Sequence, residues 1–272
     1  MGGKHIKYRA MKMKINIAGT SALLAMMSTQ STLALAEGSF SLTSGVDYST
    51  GKYGQSQSTD ITYVPLVAKY ETDTSTIKLT VPWIQITGPG DVVGADAILV
   101  RGNSSRKKNT ESGLGDVVLS ATHTIANFGE VRPLTLDLTG KVKFATASKT
   151  RGLGTGENDY VVELDAYKPI SKPITLFGGL GYKLMGDPTG VNLNNVWFGS
   201  AGLSYRLTPS TSTGIMADYR QKTLDSSDPL REVTAFLTHK FSAQYKLQSY
   251  ITHGYSDVST DWGGGVMLGY TF

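Results

Sequence analysis

The chain has 272 residues, 40% of them hydrophobic and 18% charged, with no cysteine. This length holds one large β domain or two ordinary domains, and the missing cysteines exclude a disulfide framework and a thiolate metal site. The formal net charge of +4 does not describe a nucleic-acid surface, because five of the basic residues crowd into the first 36 positions.

Those five, Lys4, Lys7, Arg9, Lys12 and Lys14, form a basic head. An apolar or small-residue run over residues 15–27 follows, and then Ala34-Leu35-Ala36 before Glu37. This is the order of a secretory signal peptide, and residues 1–36 are expected to be a cleaved leader. The run is shorter than the roughly 20 apolar residues that span a bilayer as a helix. Residues 37–272 then carry 21 basic against 22 acidic residues, a formal charge of −1. Nothing after Ala36 reaches the length of a transmembrane helix, so a membrane-spanning fold has to use strands. Strands in hydrocarbon satisfy all their backbone groups only in a closed barrel.

From residue 37 on, apolar–polar alternation recurs between clusters of Gly, Ser, Asn, Asp and Thr. It predicts strands at residues 39–50, 59–71, 75–86, 114–127, 134–146, 158–170, 173–185, 195–207, 210–222, 231–241, 244–255 and 261–272. The expected fold is one all-β domain over residues 37–272, a transmembrane antiparallel barrel of about twelve strands, with ten or fourteen as alternatives. Connections alternate in length. Polar loops at 51–58, 87–113, 148–157, 186–194, 223–230 and 256–260 interleave with tight turns near Asp73 and at 128–133, 171–172, 208–209 and 242–243. Outer-membrane barrels have long outer loops and short periplasmic turns. Both termini are therefore expected in the periplasm, and the chain in the cell outer membrane of a Gram-negative bacterium.

Within strands, Leu134, Leu136, Leu138, Val142 and Phe144 alternate with Thr135, Asp137, Thr139, Lys141 and Lys143. A Lys or Arg facing lipid at midplane costs about 2–4 kcal/mol, so the charged face is assigned to the lumen. The candidate lumen-lining residues are Asp47, Lys78, Asp137, Lys141, Lys143, Glu163, Asp165, Lys183, Arg206, Asp218, Arg220, Glu232, Lys240 and Lys246. Two readings of them stand: a ladder of ion pairs filling a narrow barrel, or a polar conduit whose charges tune selectivity. Aromatic residues gather at strand ends. Trp83, Trp197 and Trp262, with Tyr48, Phe144, Tyr160, Tyr219 and Tyr255, fall near the outer ends. Phe40, Tyr70, Tyr205, Phe241, Tyr245, Tyr270 and Phe272 fall near the inner ends. They predict two belts at the headgroup level of the membrane lipids. The C-terminal Phe272, with Tyr270 and Leu268 at alternate positions before it, resembles the signal read by the barrel assembly machinery.

The longest loop, residues 87–113, holds Asp91-Val92-Val93 and Ala97-Ile98-Leu99-Val100. Structureless loops of this length in a compact domain are usually functional, and this one is expected to fold into or over the outer mouth. Its basic cluster, Arg101, Arg106, Lys107 and Lys108, offers an alternative contact with lipopolysaccharide phosphates.

Two glycine-rich elements carry a family resemblance. Gly113-Leu114-Gly115-Asp116 opens one strand, and Arg151-Gly152-Leu153-Gly154-Thr155-Gly156-Glu157-Asn158-Asp159 leads into another, with the Lys-rich stretch Gly140-Lys141-Val142-Lys143-Phe144 between them. The chain resembles the outer-membrane transporter family named for the MetA pathway of phenol degradation. The family's Pro-Thr-Gly element is replaced here by Ala145-Thr146-Ala147. The resemblance implies a porin-like channel for passive passage of small solutes, organic and aromatic ones included. The alternative is a non-conducting structural or surface-interaction barrel.

No catalytic constellation emerges. His123, His239 and His253 remain after the leader, and Ser256 follows His253 without a nucleophile motif. No His, Asp and Glu set has metal-ligand spacing. The Gly-rich loop lacks a P-loop lysine and a following helix. The chain is read as a non-enzyme with no metal, no cofactor and no nucleic-acid partner.

Overall fold

The computed structural model describes residues 38–99 and 108–272. The expected leader, and Arg101, Arg106 and Lys107 of the basic cluster, lie outside them. Apart from a single 3-10 turn at Lys149–Arg151, the regular structure among the described residues is β. The strands are β1 (Ser39–Gly51), β2 (Thr59–Glu71), β3 (Ser75–Gly88), β4 (Val92–Val93), β5 (Ile98–Leu99), β6 (Asn109–Leu114), β7 (Val117–Phe128) and β8 (Leu134–Phe144). They continue with β9 (Asp159–Pro169), β10 (Ile174–Leu184), β11 (Val196–Arg206), β12 (Thr211–Arg220), β13 (Leu230–Lys240), β14 (Tyr245–Gly254) and β15 (Trp262–Thr271).

Except for the small β4–β5 hairpin, all of these belong to one antiparallel sheet in which chain neighbours pair. The first and last wall strands close it, with Ser41 opposite Thr271 and Thr50 opposite Trp262. β6 and β7 are two halves of one wall position. β6 pairs with Trp83–Gly88 of β3, and β7 with Ser75–Thr80 of the same strand. The ring therefore has twelve wall positions, as the loop alternation predicts.

That fourth position is longer than expected. Its ladder begins at Asn109 rather than near residue 114, and β3 runs on to Gly88, so the long loop shrinks to residues 89–108. The interruption between β6 and β7 falls opposite Pro82, which has no N–H to donate. The ladder is bridged there by the Gly115 N–H to the Pro82 carbonyl at 2.9 Å. A second irregularity, a bulge at Thr124/Ala126, bends β7 against β8.

The long loops gather at one end of the barrel, and the tight turns and both strand termini at the other. The Phe272 N–H reaches the Phe40 carbonyl at 3.0 Å there. On the outer surface Leu, Val and Ile side chains stand exposed between rows of aromatic rings. Trp83, Trp197 and Trp262 lie exposed toward the long-loop end. Phe40 and Phe272, with ring centroids 5.4 Å apart, and the tilted pair Tyr245 and Tyr270, 5.0 Å apart, mark the other. This belted surface is the inverse of a soluble barrel and suits hydrocarbon. The three histidines join the outward rows, His253 with its ring 4.4 Å from that of Trp262.

One feature of the inner wall escapes the binary pattern. Phe177, Phe198 and Phe236 point inward, each directly opposite a glycine: Gly202, Gly181 and Gly214. A β-carbon at Gly214 would lie 2.2 Å from the Phe236 ring and 2.4 Å from the Leu203 carbonyl oxygen. The rings thus lie flat across bare backbone. Gly214→Val should destabilise the barrel by about 1–3 kcal/mol through overpacking, read as a lower temperature for loss of the compact band on unboiled gels. Gly140→Ala, which meets nothing within 4 Å, should leave that temperature unchanged.

Candidate functional site

All fourteen charged candidates sit on inward-facing positions. Asp47, Asp137, Lys141, Glu163, Asp165, Lys183, Asp218, Arg220, Glu232 and Lys246 are buried, and Lys78, Lys143, Arg206 and Lys240 are half-buried. Lys108 is exposed at the foot of β6.

The loop between β3 and β6 turns into the barrel. β4 and β5 form a hairpin whose turn uses positive φ at Gly94 and Ala97. Val92 and Ala97 pack with Tyr53, Ile61, Ile84, Ile86, Ala147 and Leu153, on the β2–β3 side and under the loop at 145–158. Val93 and Ile98 pack with Met185, Leu193 and Val196, at the tops of β10 and β11. In the ring order, β2–β3 and β10–β11 stand on nearly opposite sides. The hairpin therefore spans the bore.

Charge holds its tip. Asp96 meets the Lys183 ammonium at 2.7 Å, and Lys183 also meets Asp159 at 2.9 Å. Asp159 is 3.1 Å from Lys143, which lies 3.4 Å from Asp116. The chain of alternating charges runs along the wall from β10 through β9 and β8 to the β6–β7 break, beside a cavity also lined by Tyr63, Lys78 and Lys141. Burial works against ionisation of Asp96, but Lys183 above all, with Lys143 and Arg220, outweighs it and holds the carboxyl down at about 2.

The glycine-rich motifs fasten this region from outside. Asp116 accepts the Ala147 N–H at 2.9 Å, and the Thr146 hydroxyl accepts the Val117 N–H at 2.9 Å. A β-carbon at Gly154 would lie 2.7 Å from the Asp116 carboxylate and 2.8 Å from Ala147. So the Gly113–Asp116 element, the Ala145–Ala147 segment and the loop glycine at 154 form one clasp. Arg151 extends it to Glu111 at 2.9 Å.

Deeper in the lumen the expected ion-pair ladder is only partly present. Lys141 lies 3.9 Å from Glu163, but Asp165 stands directly opposite Asp137 instead of a lysine. Like charges also face each other at Asp218–Glu232 near the long-loop end, and at Lys240–Lys246 and Lys69–Lys78 near the turn end. Between them an apolar patch of Val161, Tyr167, Phe177, Phe198, Met216 and Phe236 lines the wall, with Tyr250 packed against it. Sequence reasoning missed this patch, the hairpin's Asp96, and the Asp159 and Asp116 relay. The available signal was parity. Tyr167 shares a face with Glu163 and Asp165, and Phe177 with Lys183.

Among the described residues no group of three or more His, Cys, Asp or Glu has metal-holding geometry. His123 lies 2.9 Å from the Ser75 hydroxyl at the exposed turn end, and no carboxylate among the described residues bonds that histidine.

No family model and no curated protein matches the sequence. Among solved structures, the fold is similar to the COG4313 outer membrane channel from Pseudomonas putida F1, with a TM-score of 0.68 at 14% identity, over 90% of this chain and 100% of that one. It is similar to the NanC porin, with a TM-score of 0.53 at 10% identity, over 85% and 98% of the two chains. The KdgM porin gives a TM-score of 0.52 at 8% identity, over 85% and 99%. At these identities the likeness is one of fold, a closed antiparallel β-barrel of the outer-membrane type.

The hairpin latch has a pH signature. Because the Asp96 carboxyl is held below its ordinary value, the contribution of the ion pair is complete above about pH 4 and is lost as pH falls through about 2. A spin label on Ala95→Cys, in a chain with no native cysteine, should keep its immobilised lineshape from pH 7 to about 4 and loosen toward pH 2. In a Lys183→Met background the label should be loose at every pH, because removing one partner of a buried pair costs about 3–5 kcal/mol.

Proposed function

We propose that the protein is a passive outer-membrane channel for small solutes, narrowed at its outer end by the β4–β5 hairpin. The observation that carries this reading is the hairpin itself. A barrel serving only as a wall gains nothing from a loop held across its bore by two apolar clusters and a buried ion pair. The mixed charge on the inner wall supports the same reading, since it gives a water-filled path groups that discriminate among solutes. The names of the similar folds, an outer membrane channel and two porins, agree with it.

The orientation follows from the loops. With the long loops outside, both termini are periplasmic, Lys108 faces lipopolysaccharide, and Phe272 ends the strand that the assembly machinery reads. Residues 1–36 serve as the export leader. The apolar patch of the lumen suits organic solutes, aromatic ones included. The reading assigns no catalytic role to any residue.

The test is conductance of the purified barrel in planar bilayers. Replacing residues 90–98 with a short Gly-Ser linker should raise the unitary conductance at least severalfold. Equal conductance before and after the deletion would remove the hairpin as the constriction. Absence of current in both forms would overturn the channel reading.

A further inference from the structure

We propose that the lumen holds a binding site for organic ammonium ions, built from Asp47, Asp218 and Glu232 beside an aromatic wall. The inference rests on the channel reading and names the solute class the path favours.

The site follows from register. Asp218 of β12 and Glu232 of β13 are directly opposed on the inner face. Like charges so placed are destabilising in a sheet, and their burial raises the cost. Glu232 is also a charged neighbour of Asp47 on β1. None of the three has an ion-pair partner within 4 Å among the described residues, and Arg220 is the cation whose charge acts on Glu232. Asp47 accepts a hydrogen bond from the Tyr250 hydroxyl, and Glu232 one from the Thr260 N–H at 2.9 Å. Asp218 is only 8% exposed, yet its Oδ1 has no hydrogen-bond partner. The Ser200 hydroxyl, directly across the ladder from Asp218, has none either. Asp218 Oδ1 and the Ser200 hydroxyl are open acceptors, and Arg220 Nε and Nη1 are open donors beside them; with three carboxylates to one guanidinium, acceptor capacity remains for a further cationic donor.

The neighbours specify what kind. Met216 lies two residues from Asp218 on the same face, and Phe198 sits opposite Arg220 at its diagonal. A row of directly opposed residues then runs through Phe236, Tyr250, Gly265 and Asp47 to Tyr63. Gly265 lets Tyr250 reach across β15 to Asp47. Aromatic faces next to carboxylates attract weakly hydrated cations with an apolar body. Metal ions are the poorer match, since these groups do not have metal-holding geometry.

Benzylammonium is the probe, with benzoate and benzyl alcohol as matched controls. Calorimetric titration of the detergent-solubilised full barrel should show benzylammonium binding at least roughly tenfold tighter than either control. The Asp218→Asn/Glu232→Gln pair should remove most of that preference, and Asp47→Asn, far from the pair in sequence, should weaken it independently. Compact migration on unboiled gels identifies the folded variants. In bilayers under a KCl gradient the wild-type reversal potential should be cation-selective, and the double variant should shift it toward zero. Equal binding of the three probes, or an unchanged preference in the folded variants, overturns the site while leaving the channel intact. A barrel that binds benzylammonium selectively but passes no current overturns the channel reading and upholds the site.

Discussion

Hydrogen-bond closure is the constraint on which everything else depends. In hydrocarbon an unpaired peptide group costs several kcal/mol, so the wall has no edge to spare. The register from β1 to β15 and back through β2 supplies that closure. It also dictates where side chains go. With the backbone satisfied in the ring, every second residue faces lipid and its neighbours face the bore. Pro82, which stands opposite Pro65 of β2 and like it has no donor, marks the place where the neighbouring strand breaks into β6 and β7. The break is put to use: Asp116 sits in it and anchors the loop at 145–158.

The inner wall is then free to carry groups that would be intolerable outside. It does not neutralise them evenly. Near the long-loop end, opposite charges alternate from Asp96 to Asp116 and hold the hairpin in place. Elsewhere on the wall like charges are set face to face, and flat aromatic rings fill the space between. The first network fixes a structure, whereas the second sets like charges across the ladder from one another.

Much of this was legible in the sequence for physical reasons. Alternation of period two is strong where one face meets lipid, so strands such as Leu134–Phe144 were unambiguous. The contrast of tight turns with long loops supplied the strand number. The assignment of charged residues to the lumen needed only the energy of a lysine in hydrocarbon. The start of the fourth strand was not legible, because Asn109–Leu114 is polar and glycine-containing and lies beyond the apolar belt, where the lipid imposes no pattern. The inward Phe177, Phe198 and Phe236 were hidden for a related reason. Hydrophobicity marks burial, and in a barrel of this kind both lipid and a crowded bore accept it. Only their parity with charged residues, and the glycines across the ladder, separate the two. The hairpin's place across the bore depends on contacts between loops far apart in sequence, which no local pattern reports.

The bond from Tyr250 to Asp47 has a further consequence. Asp47 belongs to the first wall strand and Tyr250 to the last but one, and the bond passes over Gly265 of the strand between them. An open sheet, however complete its hairpins, holds these two residues at opposite margins. The contact exists only once the two margins have met. It acts as a stitch across the seam, tying the finished cylinder to the carboxylate that faces the solute path, so that the path acquires its full lining at the moment the wall becomes continuous.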